Sequence, residues 1–150
     1  MDQTLSDEIK NKKRFLYSYR NNKERLNKLE EKLETLEERL TSISSPNLSG
    51  MPRGSVLVTT ADLIADKSIL KDRIKTLKNK CDNIKKKVLA EIDLLEDVRY
   101  SEVLELYFIS ALSFDDIAEE LGYSTRHTIT LYSKAIKILV NNNNIAVETQ

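Results

Sequence analysis

The chain is poor in the two residues that most often interrupt helices. It contains three glycines and two prolines in 150 residues, and these fall in only two places, within residues 46–54 and at Gly122. Elsewhere neither the missing N–H of proline nor the flexibility of glycine opposes continuous helix. The sequence therefore predicts an all-α protein.

Cysteine and histidine each occur once, as Cys81 and His127. One chain can therefore form neither an internal disulfide nor a zinc site built from several Cys and His side chains. Cys81 falls on the apolar face of its predicted helix, so we interpret it as a small core residue. No metal and no cofactor are expected.

Long hydrophobic runs are missing as well. No segment approaches the roughly 20 apolar residues of a membrane span, and the first residues, with Asp2, Asp7 and Glu8, do not look like a signal peptide. We expect no membrane partner and a location in the cytoplasm of a bacterial host cell. The sequence also has no glycine-rich phosphate loop, nucleophile elbow or H-E-x-x-H motif, so no enzyme is expected.

Two long segments carry apolar residues at alternating steps of three and four, which is the seam of a coiled coil. They cover residues 7–43 and 61–97, and each helix would be about 55 Å long. Their matched lengths predict a long antiparallel two-helix coiled-coil hairpin, the stalk, over residues 1–97 with a loop at 44–60. The seam residues are Phe15, Tyr19, Leu26, Leu29, Leu33, Leu36, Leu40 and Ile43, then Leu63, Leu70, Ile74, Leu77, Cys81, Ile84, Val88 and Leu95.

Polar residues interrupt both seams. Lys67 and Glu91 occupy seam positions of the second segment, and Asn22 lies in register in the first. Asn22 either sets the register and partner number of the coil or marks its fraying end. Residues 71–87 carry eight basic and two acidic residues, which indicates a solvated helix face or contacts with phosphate. The loop is long, and its apolar residues are able to dock on another surface: Val56, Leu57 and Val58.

The run from Ser113 to Leu139 predicts two short helices separated by Gly122. Ser113 is a cap for the first helix, and Gly122 suits the left-handed turn at its end. Ser124 caps the second helix. The inward faces are formed by Phe114, Ile117, Ala118 and Leu121 in the first helix and by Thr128, Leu131, Ala135, Ile138 and Leu139 in the second.

The outward face of the second helix suits DNA. No acidic residue occurs from residue 124 to residue 140, and three basic residues make this segment positive. We predict that it enters the major groove as a recognition helix, although an ordinary helical hairpin has the same spacing. His127 fits a DNA contact and an idle surface position equally well. The predicted contact residues are Thr125, Arg126, His127, Ile129, Thr130, Ser133, Lys134 and Lys137.

A further helix is expected between the stalk and this motif. Its apolar residues, between residues 98 and 112, would pack across the other two helices and complete a small C-terminal helix-turn-helix domain at residues 98–140. Asparagine favours turns over helix interiors, so Asn141 to Asn144 are predicted to end the last helix. Residues 141–150 would then form a flexible tail.

The stretch I-A-E-E-L-G-Y-S, followed by a basic helix that ends K-A-I-K-I-L, resembles the region-four helix-turn-helix of bacterial sigma factors. The order of the predicted elements, together with the loop S-P-N-L-S-G-M-P-R-G at residues 45–54, resembles that of phage and prophage transcriptional regulators of the ArpU and RinA group. This resemblance covers nearly the whole chain. The resemblance implies a sequence-specific DNA-binding regulator that activates transcription from promoter DNA, with RNA polymerase as a further partner.

Two positions depart from the family pattern. Thr128 stands where such helices usually carry a branched apolar residue, and Thr125 stands where sigma-like recognition helices commonly carry arginine. The implied fold is unaffected, but the operator sequence cannot be carried over. A competing interpretation is a coiled-coil assembly or adaptor protein with a helix-turn-helix, such as a phage terminase small subunit. Such proteins usually place the motif first, whereas here it comes last.

The stalk also predicts the oligomeric state. Two helices side by side bury one apolar stripe each, which leaves little area to offset the entropy of ordering the chain. We therefore expect a homo-oligomer, a dimer of the 17.3 kDa chain or a larger assembly. Light scattering after size exclusion measures the mass directly. A measured mass equal to that of one chain would show that the two apolar seams cover each other without a second copy.

Overall fold

The computed structural model describes residues 2–43 and 53–148. Within these ranges the chain forms five helices and no strand, so the predicted all-α class is confirmed. The helices are α1 (Asp2–Ile43), α2 (Arg53–Ile92), α3 (Val98–Phe108), α4 (Phe114–Leu121) and α5 (Thr125–Glu148). None of these described helices combines the length and the apolar character that a membrane crossing requires.

The predicted boundaries of the second long helix are wrong at both ends. Helix α2 begins at Arg53 rather than at residue 61, and residues 44–52 of the predicted loop lie outside the described residues. Gly54 and the β-branched residues after it lower helix propensity by about 1 kcal/mol or less each, which does not stop a long helix. At the other end α2 stops at Ile92, where the Leu94 and Leu95 N–H groups donate to the Glu91 and Ile92 carbonyls in a tight turn, and Asp97 then caps α3.

The predicted end of the last helix is also wrong. Helix α5 continues through Asn141 to Asn144 and ends at Glu148. Asparagine disfavours a helix interior by only a fraction of a kcal/mol, and neither glycine nor proline follows to stop the helix. The residues assigned to a flexible tail are therefore largely helical.

The chain divides into two compact units. Unit 1 comprises Met1–Asn21 and Asp82–Gln150, and unit 2 comprises Asn22–Cys81. The boundary predicted from the sequence lies at residue 97 instead. The difference arises because the first turns of α1 and the last turns of α2 contribute buried residues to the same unit as α3, α4 and α5.

Every helical segment of unit 1 contributes to its core. Helix α3 packs against α4 and α5, and α4 packs against α5, as expected for the three C-terminal helices. In this part of α1 the buried residues are Leu16 and Tyr19. The heptad pattern had included Tyr19 but had passed over Leu16 in favour of the partly exposed Phe15. The residues that are fully shielded from solvent include Leu16, Val88, Ile92, Val103, Leu104, Phe108, Ile117 and Leu139.

Five aromatic rings form a cluster in unit 1, with neighbouring ring centroids 4.6–5.8 Å apart. The Tyr17 and Tyr107 hydroxyl groups share a hydrogen bond. Burial, reinforced by that bond, raises the pKa of Tyr107 to about 12, and burial raises the pKa of Tyr132 as well. Both groups therefore stay neutral at physiological pH. The cluster comprises Tyr17, Tyr107, Phe108, Phe114 and Tyr132.

Charged groups reinforce the attachment of α1 in unit 1. The Arg20 guanidinium lies 4.7 Å from the centre of the Tyr107 ring and donates a hydrogen bond of 3.3 Å to the Tyr107 carbonyl. Lys12 forms an ion pair with Glu91, and both side chains are largely shielded from solvent. Glu91 can therefore occupy a seam position of α2, since its charge is paired with that of Lys12 on α1.

In unit 2 the segments of α1 and α2 run antiparallel, since residues late in α1 lie beside residues early in α2. The seam position at Lys67 again holds a paired charge, 3.7 Å from Glu37. Cys81 is buried, as predicted for a core residue. The other buried seam residues here are Leu26, Leu29, Leu63, Leu70 and Leu77, whereas Leu33, Leu36 and Leu40 remain partly exposed.

The burial of Leu16 leads to a stability prediction. Leu16 is 0% exposed and Leu5, on the same helix, is 41% exposed. Leu16→Ala should lower the free energy of unfolding by about 2–5 kcal/mol, because it removes buried methyl groups and leaves a cavity. Leu5→Ala, the matched control, should change it by less than about 1 kcal/mol. Urea unfolding followed by circular dichroism measures both, and equal losses would show that α1 is not packed in this way.

Candidate nucleic-acid interface

Local hydrogen bonds set the junction between α4 and α5. The Ser113 hydroxyl oxygen accepts from the Asp116 backbone N–H at 3.1 Å, at the start of α4. Gly122 ends that helix in the left-handed conformation, with φ 74° and ψ 32°, and its N–H donates to the Ala118 carbonyl. The Ser124 hydroxyl oxygen then accepts from the His127 N–H at 3.0 Å. The two predicted caps and the predicted glycine turn are confirmed.

Thr128 is fully buried in the first turns of α5. Its hydroxyl donates a 3.0 Å hydrogen bond to the Ser124 carbonyl, so the polar group is satisfied while the methyl group faces the core. This contact explains how a polar side chain is accommodated at an inward position of α5. It also shows that Thr128 supports the helix and is not available to a ligand.

The buried face of α5 is wider than the sequence indicated. Leu131, Ala135 and Leu139 are buried as predicted, but Ile138 is partly exposed, and so are Phe114 and Leu121 of α4. Three further residues are buried because α3 and α4 both pack on this helix. These three were not predicted to face inward, and they are Tyr132, Ile136 and Val140.

A row of exposed polar residues runs along the opposite side of α5. Arg126, Thr130, Ser133 and Lys137 follow one another at steps of four, three and four, which keeps them on one helical face over about 16 Å. We call these four residues the α5 row. Lys134 lies beside the row and is also exposed. Seven of the eight predicted contact residues are exposed, the exception being Thr125.

Thr125 does not belong to the α5 row. It is partly buried in the first turn, and its hydroxyl donates a 2.7 Å hydrogen bond to an Asp115 carboxylate oxygen. Its predicted role as a DNA contact is therefore weakened, because that donor is already used within the protein. The interaction instead ties the start of α5 to α4.

The remaining predicted residues have distinct surroundings. Ile129 is 42% exposed, which is unusual for a large apolar side chain, and it lies at the edge of the α5 row. The His127 ring packs edge-on against the Tyr123 ring, with centroids 5.0 Å apart. Tyr123 was not among the predicted site residues; it lies in the turn before α5, where helical spacing does not reveal its contact with His127. The Thr130 hydroxyl donates to the Arg126 carbonyl at 3.0 Å.

Charge is divided sharply between the two helices. The outward face of α4 carries four exposed acidic residues, Asp115, Asp116, Glu119 and Glu120. Residues 98–140 together have four basic and six acidic residues, and three of the four basic residues lie on α5. Within these three helices a polyanion would be repelled by the outward face of α4 and attracted by the outward face of α5.

No family model matches the chain, and neither a curated protein nor a solved structure matches it. Among the described residues, no three His, Cys, Asp or Glu side chains lie close enough together to hold a metal ion. The interpretation of the interface therefore rests on the α5 row and its surroundings.

The glycine turn can be tested by two substitutions at one position. A Cβ at Gly122 would meet no other atom within 4 Å, so the effect of a side chain there comes from the backbone conformation alone. Gly122→Val should lower the free energy of unfolding by about 1–2 kcal/mol, whereas Gly122→Asn should lower it by less, because asparagine adopts left-handed conformations more readily. Thermal unfolding compares the two. Equal stability of all three proteins would rule out the left-handed turn.

Proposed function

We propose that the protein is a sequence-specific DNA-binding transcriptional regulator of phage or prophage genes, and an activator as its resemblance implies. In this proposal α4 and α5 form the helix-turn-helix of a C-terminal domain, and α5 is the recognition helix. The observation that carries the proposal is the α5 row: an exposed, acid-free face on the helix that follows a left-handed glycine turn.

The α5 row suits the major groove in size and chemistry. The groove of B-DNA is about 12 Å wide and admits one helix. Arg126, one residue after the first residue of α5, can pair through its planar guanidinium with the two acceptors of a guanine. Ile129 offers an exposed apolar surface for a thymine methyl group. Ser133 adds a hydroxyl that can donate or accept.

Positive charge beyond the first turn suits the DNA backbone. Lys134 lies two turns after Arg126, and Lys137 lies one turn further, where a helix leaving the groove approaches phosphates. Only these few cations face the DNA, and α4 is acidic, so binding to random sequence should be weak. Discrimination then depends on the base contacts made by Arg126 and its neighbours.

The proposal also covers the arrangement of α1 and α2 and the binding partners of the protein. Helices α1 and α2 would form an antiparallel coiled-coil stalk through which two copies assemble. Two recognition helices would then read half-sites about 34 Å apart, one turn of DNA. RNA polymerase is proposed as a partner on the resemblance alone, and the bacterial cytoplasm is the compartment where these partners meet. No catalytic step is assigned.

Recovery of bound DNA from cells that express the protein, followed by sequencing, tests the function. A regulator should enrich sites upstream of genes, with one shared motif. Enrichment at a packaging site would instead favour the terminase-like interpretation. Recovery of no enriched sequence, together with no motif selected from a random duplex library in vitro, would contradict sequence-specific DNA binding.

Two substitutions on α5 separate base reading from backbone contact. Arg126→Ala should weaken binding to the preferred site by roughly 1–3 kcal/mol and change binding to random DNA much less. Lys134→Ala should weaken both alike and reduce the salt slope by about one. Binding isotherms on both DNAs at several salt concentrations measure these effects.

Lys75→Ala supplies the control for these measurements, because Lys75 is an exposed lysine of α2 outside the proposed interface. It should leave both isotherms unchanged. Equal losses on the two DNAs for Arg126→Ala would reassign that residue to a phosphate contact. Unchanged binding in both α5 variants would remove this helix from the interface.

A further inference from the structure

The two flanks of the seam in unit 2 differ in charge. On one flank Glu37 of α1 lies 3.7 Å from Lys67 of α2. The same flank continues with Glu30, two turns before Glu37, and with Lys71 and Lys78 on α2. Acidic residues of α1 and basic residues of α2 therefore share this flank, and the ion pair of Glu37 with Lys67 joins the two helices there.

The opposite flank is basic on both helices. Arg25, Lys32 and Arg39 follow one another along α1 at intervals of seven residues, and Arg73 and Lys80 do so along α2. The carboxylates that line this flank are those of Asp66 and Asp72, two against five cations. In the described part of unit 2 the ion pairs are Lys28 with Glu24, within α1, and Lys67 with Glu37 on the other flank.

Apolar side chains form a floor between these cations. Two adjoining depressions, of about 330 Å³ and 540 Å³, share Arg73 and are lined below by leucines from both helices. Leu29, Leu63, Leu70 and Leu77 of this floor are buried in the seam between α1 and α2. The larger apolar surface open to a partner comes from Leu36, which is partly exposed, and from Ile69 at the edge, which is 60% exposed. We call this flank, with its five cations and its leucine floor, the basic groove.

We propose that the basic groove binds an amphipathic helix whose apolar stripe is flanked by acidic residues, so that the three helices form a coiled coil. The groove extends along α2 from Leu63 to Lys80, about 25 Å, which matches a helix of roughly 17 residues. Leu36 and Ile69 would contact the apolar stripe, and the cations along the rims of the groove would face the flanking carboxylates.

Two other occupants fit less well. The phosphates of a duplex would satisfy the cations, but they would leave Leu36 and Ile69 against a charged and hydrated surface. A second copy related by a two-fold axis would bring the same surface against itself and place cations beside cations. A two-fold contact between copies therefore belongs on another face of these helices. The proposal does not depend on DNA binding by α5.

A pair of synthetic peptides tests the proposal on the unmodified chain. Each contains roughly three heptads with leucine at the seam positions. The probe carries glutamate at the flanking positions, and the control carries lysine there. Copies of either peptide repel one another to the same extent, so self-association does not bias the comparison of their affinities. Fluorescence anisotropy of the labelled peptides should show that the unmodified chain binds the glutamate peptide at least about tenfold more tightly than the lysine peptide.

Charge reversal locates the binding surface. The double variant Lys32→Glu with Arg73→Glu changes one cation on each helix of the groove, and it should weaken the glutamate peptide at least about tenfold. Lys23→Glu with Lys75→Glu is the matched control, since it makes the same change of net charge at exposed positions outside the groove. That control should bind the peptide as the unmodified chain does.

Four results would overturn the proposal. The first is that the glutamate peptide does not bind, and the second is that the two peptides bind with equal affinity. The third is that the two double variants lose equal affinity for the glutamate peptide. The fourth is that the chain is a dimer in solution and that the groove variant alone dissociates into monomers. Binding of a duplex DNA that is lost in the groove variant alone, without binding of the glutamate peptide, would reassign the groove to phosphate.

Discussion

The aromatic cluster around Phe108 is the interaction on which the proposed interface depends. It brings together residues that are far apart in sequence, from Tyr17 of α1 to Tyr132 of α5. Tyr132 enters the cluster from the buried side of α5, which determines how that helix is rotated about its axis. Because successive residues are separated by about 100°, the residues around Arg126 and Lys137 are then directed to solvent. The α5 row is thus a consequence of packing on its opposite side.

Local features of this region were predictable from the sequence, because they depend on residues within one turn of each other. Ser113 and Ser124 cap their helices, and Gly122 adopts the left-handed conformation that a residue without a Cβ favours. The presence of α3 was likewise evident from its apolar pattern. Such features need no knowledge of which segments meet in space.

Features that depend on tertiary contacts were not predictable. Heptad spacing selected Phe15, but Leu16 is the fully buried residue, in the unit that also contains the C-terminal helices. Tyr132 looked like one of several aromatic residues, and its burial requires the other rings to be in place. Ala111 adopts a left-handed conformation, with φ 57°, between α3 and α4, which its residue type does not suggest. The hydrogen bond from Thr125 to Asp115 likewise becomes visible only once α4 and α5 are packed.

The distribution of charge limits how the proposed regulator can bind DNA. The net charge of the chain is zero, yet unit 2 has a basic groove while α4 is acidic and α5 is basic on its outward side. Because α5 carries few cations, one recognition helix would release few counterions from DNA. A single copy would therefore bind DNA weakly. Linking two such helices makes the second contact intramolecular and raises affinity by mass action, without any new residue at the DNA. Assembly through the long helices is therefore a requirement of the proposed function and not an accessory to it.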